Sequence, residues 1–241
     1  MSAGRLSCYG YASHGRGLPI MILYDADVPS PNAIVPRLFA HERGGLQFEA
    51  QTIALSTLEN RSKPYVTEVN ARGEVPALRL DDGRILTEVT AICEYFDEIA
   101  TGGRSLIGED AEERALTRMW TRRVDLEIAE PVVAWWRGSE AAEDFYRGNR
   151  VLSPAGQRDN RLVADRGLNQ LDDDLDGQEF IGGDRPMLAD ILLFGFLVTM
   201  APSAPWANVP SRKAVSAWFE RMEARPSTAK AMGSFKGSVS L

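Results

Sequence analysis

Three short stretches carry residue types at spacings that could do chemistry. Ser30 stands in VPSPN, directly after the apolar run IMILYDAD, where a helix would begin. A hydroxyl there can donate to an anion, and donors at a helix N-terminus lower the pKa of a thiol from its free value of about 8.5. Asn32 adds an amide donor two residues on. The plainer role for Ser30 is that of an N-cap. Val75-Pro76 follows Arg72-Gly73-Glu74. The dipeptide alone reads as a trans proline at a strand start. A cis bond would leave the Val75 N–H and C=O unpaired, open to another peptide in strand-like pairing. Thr87-Glu88 opens a helical pattern. Free N–H groups at a helix start take a carboxylate, and Glu88 beside them would take an ammonium, which suits an α-amino acid head group. The plainer role is a Thr cap with an acidic first turn.

The elements that must position these residues can be read from the pattern. Residues 20–27 form a short buried strand, and Pro31 suits the first turn of a helix over 32–43 that stops at Gly44-Gly45. Pro36 should kink that helix or remove one of its backbone bonds. LQFEAQTI (46–53) alternates as a half-buried strand does, and a polar loop covers 56–72. VPALRL and GRILTE are two strands joined by the turn Asp81-Asp82-Gly83. Val89, Ile92, Phe96 and Ile99 recur at helical spacing and predict a helix over 88–100. Strand, helix, strand, hairpin and helix make a mixed sheet with helices packed on it.

ATGGRSLIGED is a linker, with the α/β domain at 19–100, the linker at 101–110 and an all-helical domain at 111–232. One long helix is expected over 111–136, with Leu116, Trp120, Val124, Ile128 and Val132 at four-residue steps. Further helices are expected at 155–175, 187–200 and 211–224. Residues 1–18 and 233–241 read as tails.

Bulk properties narrow the function. The 241 residues are 44% hydrophobic and 25% charged, ordinary for a globular protein. A net charge of −7 argues against coating nucleic acid. Cys8 and Cys93 have no CxxC spacing, and His14 and His41 are the only histidines, so no zinc box can be built. A reduced, cytoplasmic setting is the simplest one. No apolar run approaches the roughly 18 residues needed to span a membrane. Asp172-Asp173-Asp174 resembles a metal run, but consecutive carboxylates diverge on a helix and read as a solvated face. Cys93 reads as a buried structural thiol.

In order and spacing, LY…SPN, N-x-x-G-x-VPAL, DG-x-x-LTE-x-x-AI-x-x-Y and, after the linker, GDRPMLADI resemble the cytosolic glutathione transferase family over about residues 19 to 232. The resemblance implies a two-domain fold, a thioredoxin-like α/β N-terminal domain plus an all-α C-terminal domain, in a homodimer. It implies glutathione as co-substrate and no metal. The cysteinyl backbone of glutathione would pair with Val75 before a cis-Pro76, and its γ-glutamyl end would sit at Glu88 and Val89. Ser30 would activate the thiol, with Asn32 beside it as in nu-like bacterial members with a Thr/Ser-Pro-Asn motif. A small hydrophobic substrate would fill the cleft between domains. Trp120 is the pocket candidate on the long helix, while Trp135-Trp136 reads as core plus domain contact.

The chain departs from the family pattern at four places. Val89 replaces the usual Ser, removing one hydroxyl donor to the γ-glutamyl carboxylate. Such a bond to a charged group contributes roughly 1.5–3 kcal/mol. Glu74 replaces a usual Lys, Gln or Arg and would repel the glycyl end unless Arg61 or Arg72 compensates. Met187 replaces the Ser/Thr of a capping box completed by Asp190, at an expected cost of about 1 kcal/mol. Pro36 is unusual, although some glutathione-dependent β-etherases share it, along with wording close to LTE-x-T-x-ICEY. The expected activity is transfer of glutathione to a hydrophobic or aromatic electrophile. Ether cleavage or disulfide reduction on the same fold are the enzymatic alternatives, and a non-catalytic binding module is the rival from another class.

Overall fold

The computed structural model describes residues 21–241. The predicted tail at 1–18, Cys8 and His14 lie outside the described residues. The N-terminal unit is β1 (Ile22–Ala26), α1 (Pro31–Arg43), β2 (Gln47–Ile53), α2 (Lys63–Glu68), β3 (Ala77–Arg79), β4 (Ile85–Leu86) and α3 (Val89–Ile99). β1 and β2 are parallel, with α1 as the crossover; β3 pairs antiparallel with β1, and β4 with β3. This is the mixed sheet the sequence predicts. Gly44 and Gly45, at φ 64° and 66°, end α1 in a conformation that side chains with a Cβ rarely adopt. The expected polar loop over 56–72 is instead two 3-10 turns and α2, whose start is capped by Ser62 accepting the Tyr65 N–H.

Residues 233–241 are not a tail. Gly237–Ser240 forms β5, antiparallel to β2, giving the sheet order β4-β3-β1-β2-β5. An open β2 edge presents a row of unpaired backbone groups, and the returning chain end satisfies them. The polar run GSVS gives no local sign of this pairing.

The helical unit comprises α4 (Ala111–Val124), α5 (Glu130–Arg137), α6 (Glu140–Tyr146), α7 (Gln157–Asp174), α8 (Leu188–Met200), α9 (Lys213–Glu223) and α10 (Pro226–Ala231). The single long helix expected over 111–136 is two helices joined by a π turn at Asp125–Ala129. Pro131 has no N–H for the Glu127 carbonyl, so the wider turn falls where the regular ladder is broken. The four-residue stripe also fails at its start. Four residues advance about 400°, so each step drifts about 40° off the core face. Leu116 is exposed and Trp120 only half-buried, while Thr117 and Thr121 are buried in their place. Asp172 is more than a solvated carboxylate, because it accepts the Val215 N–H at 2.8 Å near the start of α9.

α1 lies between the sheet and α8. A Cβ on Gly195 of α8 would sit 2.9 Å from the Ile34 side chain and 3.0 Å from that of Val35, so glycine permits this close approach. One hydrophobic core then runs from Leu23, Ile34 and Leu38 into Leu192, Phe196 and Trp218. Cys93 is fully buried within it, as predicted, and burial pushes its thiol well up. The predicted linker falls between α3 and α4 but is pinned. Asp97 accepts the Leu106 N–H at 2.9 Å and the Ser105 hydroxyl at 2.5 Å, and Arg185 donates to the Ser105 C=O at 2.6 Å.

Candidate functional site

The loop carrying Ser30 is fixed from both sides. Asp25 and Arg37 are fully buried and paired, Arg37 Nε to Asp25 Oδ2 at 2.7 Å. Arg37 Nη2 also donates to the Ala26 C=O, and Asp25 accepts the Ala26 N–H at 2.9 Å. Burial pushes the Asp25 carboxyl up, outweighing the lowering pull of Arg37. Asp27 accepts the Leu55 N–H at 3.0 Å. Ser30 follows in extended geometry, φ −139° and ψ 153°, and its C=O accepts the Ile34 N–H at 3.0 Å. Its backbone therefore occupies the N-cap position, yet its hydroxyl makes no cap bond. That side chain is free for another acceptor. Ser30 and Asn32 line a cleft of about 390 Å³ between the two units.

Val75 and Pro76 stand on the same cleft, and the bond between them is cis, the isomer the resemblance implies. Among the described residues, no hydrogen bond engages the Val75 N–H or C=O. The preceding turn is held by side chains. Asn60 donates to the Gly73 C=O at 2.6 Å, and Tyr65 Oη and Asn70 Nδ2 donate to the Glu74 C=O at 2.8 and 3.0 Å. A short length of backbone is thus presented edge-on to the cleft.

Thr87, Glu88 and Val89 line the cleft where α3 begins. Glu88 adopts φ 70° and ψ 122°, which a residue with a Cβ rarely takes. Such strain costs on the order of 1–3 kcal/mol and persists where surrounding structure enforces it, often at ligand sites. The first N–H groups of α3 lack helical partners and give this end a partial positive charge.

Arg61 and Glu74 line the cleft as well, but both engage α6 and the turn after it. Arg61 Nη1 donates to the Phe145 C=O, and its guanidinium lies 4.9 Å from the Phe145 ring centre. Arg150 pairs with the Glu74 carboxylate. The sequence leaves Arg61 or Arg72 to offset Glu74; the structure assigns that task to Arg150, from the other unit. Trp120 is absent from the cleft lining, and Arg123 covers its ring at 4.9 Å. Trp136 lines the cleft instead, with Val133, Tyr146 and Met200. Trp135 points elsewhere, packing edge-on to Trp206 at 5.2 Å.

Eight of the nine predicted site residues therefore converge on one cleft. Its N-terminal wall has a free hydroxyl, an unpaired peptide edge, and a helix start beside a carboxylate. These three features line one cleft. Residues 29–99 match the model of the glutathione S-transferase N-terminal domain, and residues 157–226 match that of its C-terminal domain. The chain is 30% identical over 217 residues to glutathione S-transferase 2 of Saccharomyces cerevisiae, covering 87% of this chain and 88% of the relative. This chain belongs to the glutathione S-transferase family. It has the family's two-domain fold. The crystal structure of Gtt2 from Saccharomyces cerevisiae superposes with a TM-score of 0.75 at 26% identity, over 87% of this chain and 99% of that one. The β-etherase LigF from Sphingobium sp. strain SYK-6 superposes with a TM-score of 0.74 at 25% identity, over 88% of this chain and 98% of that one. By sequence, protein LigF is 39% identical over 98 residues, 40% of this chain and 37% of that one.

Among the described residues, no group of three His, Cys, Asp or Glu side chains could hold a metal ion, and no helix is long and apolar enough to cross a membrane. The residues that sequence reasoning missed, Arg150 and Tyr146, come from a short helix and turn with no strong periodicity. Only their position in space brings them to the cleft.

Proposed function

We propose that this chain is a glutathione transferase in which the Ser30 hydroxyl, supported by Asn32, activates the glutathione thiol for attack on a hydrophobic or aromatic electrophile. The observation that carries this reading is the Ser30 side chain, which sits at the start of α1 and makes no cap bond. Glutathione supplies the sulfur nucleophile. Ser30 donates to the sulfur, and the N-terminus of α1 adds partial positive charge, so the thiol proton leaves to water more readily. Val75 offers its N–H and C=O to the cysteinyl unit. Glu88 takes the γ-glutamyl ammonium, and the α3 N-terminus, at the Val89 N–H, takes the carboxylate. Arg61 and Arg72 are the cations nearest in role to the glycyl carboxylate. The protein's contribution is positioning and electrostatic stabilisation of the thiolate, not a covalent bond to its own side chain.

Ser30→Ala tests this directly. The bound thiol pKa, read from thiolate absorbance against pH, should rise. kcat/KM with an aryl halide should fall roughly tenfold or more, as expected for loss of one hydrogen bond to a charged sulfur. Unchanged turnover would remove Ser30 from the mechanism.

A second reading is glutathione-dependent ether cleavage, supported by the likeness to LigF and by Pro36 inside α1. Turnover of an aryl ether set against that of an aryl halide separates the two. Exposed Leu116, Met119 and Leu126 support the homodimer that the family resemblance implies, and sedimentation of the purified chain measures it.

A further inference from the structure

We infer that the second substrate is an aromatic electrophile bearing an anionic group, and that Arg137 selects it. The inference rests on the transferase reading, in which the N-terminal wall of the cleft holds glutathione. The facing wall comes from α5, α6 and the end of α8, and Arg137 is part of it. The Arg137 side chain is only 17% exposed. Its Nε is buried and has no hydrogen-bond partner. Among the described residues the one acid within ion-pair distance is Glu130, with Nη1 to Oε2 at 3.5 Å. A formed charge-assisted bond measures about 2.7–2.9 Å. The Glu130 side chain is 48% exposed, so water screens this pair and a better-placed anion can replace it.

A buried guanidinium donor without a partner is costly, and buried polar groups in native proteins are as a rule satisfied. Here the residue lines a cleft rather than a packed core, and the buried Nε would turn toward that cleft to meet an anion. Its surroundings are aromatic. Trp136 and Tyr146 meet edge to face with ring centres 5.8 Å apart, and the Arg137 guanidinium lies 5.7 Å from the Tyr146 centre. A ring bound against Trp136 and Tyr146, carrying a carboxylate or similar anion, would give Arg137 the partner it lacks. The other cleft guanidiniums have different positions. Arg150 is taken by Glu74, Arg72 is exposed, and Arg61, whose Nε is also unpartnered, comes from the N-terminal unit and lies over the Phe145 and Tyr146 rings. Each unit thus contributes one buried guanidinium Nε without a partner to this cleft.

The test is a matched pair of electrophiles, 4-chloro-3-nitrobenzoate and its neutral carboxamide, at saturating glutathione. Relative to the ratio of their uncatalysed rates with glutathione, the benzoate should be preferred in kcat/KM by about tenfold in the unaltered protein, the size of one charge-assisted contact. Arg137→Gln should abolish that preference and Arg137→Lys should keep part of it. The ratio is read within each variant, so a general loss of stability cancels. A ratio in the unaltered protein no greater than the uncatalysed one, or the same ratio in Arg137→Gln, overturns the inference while leaving the transferase reading intact. The corresponding glutathione conjugates, acid and amide, are titrated by calorimetry in parallel. An Arg137-dependent preference for the acid conjugate without turnover of either electrophile supports the Arg137 assignment and counts against the transferase reading. Equal affinity for the two conjugates overturns the assignment.

Discussion

The Ser234 hydroxyl donates to the Ala26 carbonyl at 2.9 Å, joining residues 208 apart in sequence. The same carbonyl accepts from Arg37, four residues before the loop delivers Ser30. Phe235, the next residue, is buried against Phe48 at 5.3 Å and His41 at 4.9 Å, and β5 then closes the β2 edge. The chain end is therefore part of the N-terminal unit. Phe235→Ala should lower unfolding free energy by roughly 3 kcal/mol, the low end for emptying a buried phenylalanine site. Urea denaturation measures it, and a loss well under 1 kcal/mol would show that the strap is passive.

Arg150 and Glu74 make a prediction about ligand charge. With Arg150→Ala, the Glu74 carboxylate is left uncompensated beside the expected glycyl end of glutathione. The Kd for glutathione should rise about fivefold, a penalty of about 1 kcal/mol for a partly solvated like charge. Adding Glu74→Gln to the same variant should restore most of the affinity. If the double variant binds as weakly as the single one, Arg150 acts by some route other than neutralising Glu74.

Val89 offers a gain-of-function test. Val89→Ser supplies the hydroxyl that the family pattern has at the start of α3. Calorimetry should show glutathione binding about tenfold tighter, from one added bond to a charged group. No change would mean that the backbone N–H groups of α3 already satisfy the carboxylate.

Asp190 should make stability depend on pH in an unusual direction. It accepts the N–H groups of Met187 at 2.9 Å and Ile181 at 2.8 Å, and the Trp218 indole N–H at 2.8 Å. Burial pushes its carboxyl up to about 6, against the pull of those donors, from an ordinary 3.8. Between these values the native chain holds a proton that the unfolded chain has released. The Asp190 contribution to stability is therefore full below about pH 4 and declines as pH rises through about 6. Asn cannot ionise, so the stability gap between the unaltered protein and Asp190→Asn should narrow by ~2–3 kcal/mol from pH 4 to pH 7. Urea titrations at several pH values give the gap, and widening with pH would contradict the assignment.

The Met187 departure bears on the same residue. The sequence predicts that Asp190 keeps its bond to the Met187 N–H and that the reciprocal side-chain cap is lost. The backbone bond is present, and a thioether is too weak an acceptor to replace a hydroxyl cap. The structure adds the Ile181 and Trp218 donors, nine and twenty-eight residues away, which no capping rule contains.

What the sequence determined by itself was local or carried by motif. Ser30-Pro31 and Gly44-Gly45 bound α1, Asp81-Asp82-Gly83 turns the hairpin, and the spacing of Ile92 and Phe96 makes α3, because caps, turns and periodicity act over a few residues. The residues proposed for the glutathione side, from Ser30 to Val89, were legible as a set through order and spacing along one short domain, and they line one cleft. Tertiary structure alone decided that Arg150 answers Glu74, that Trp136 rather than Trp120 faces the cleft, and that residues 237–240 complete the sheet. Each of these depends on how the helical unit docks on the sheet and on the π turn that resets helix phase before Trp136. Contacts between residues tens or hundreds apart follow from that packing, and no local pattern in the chain encodes them.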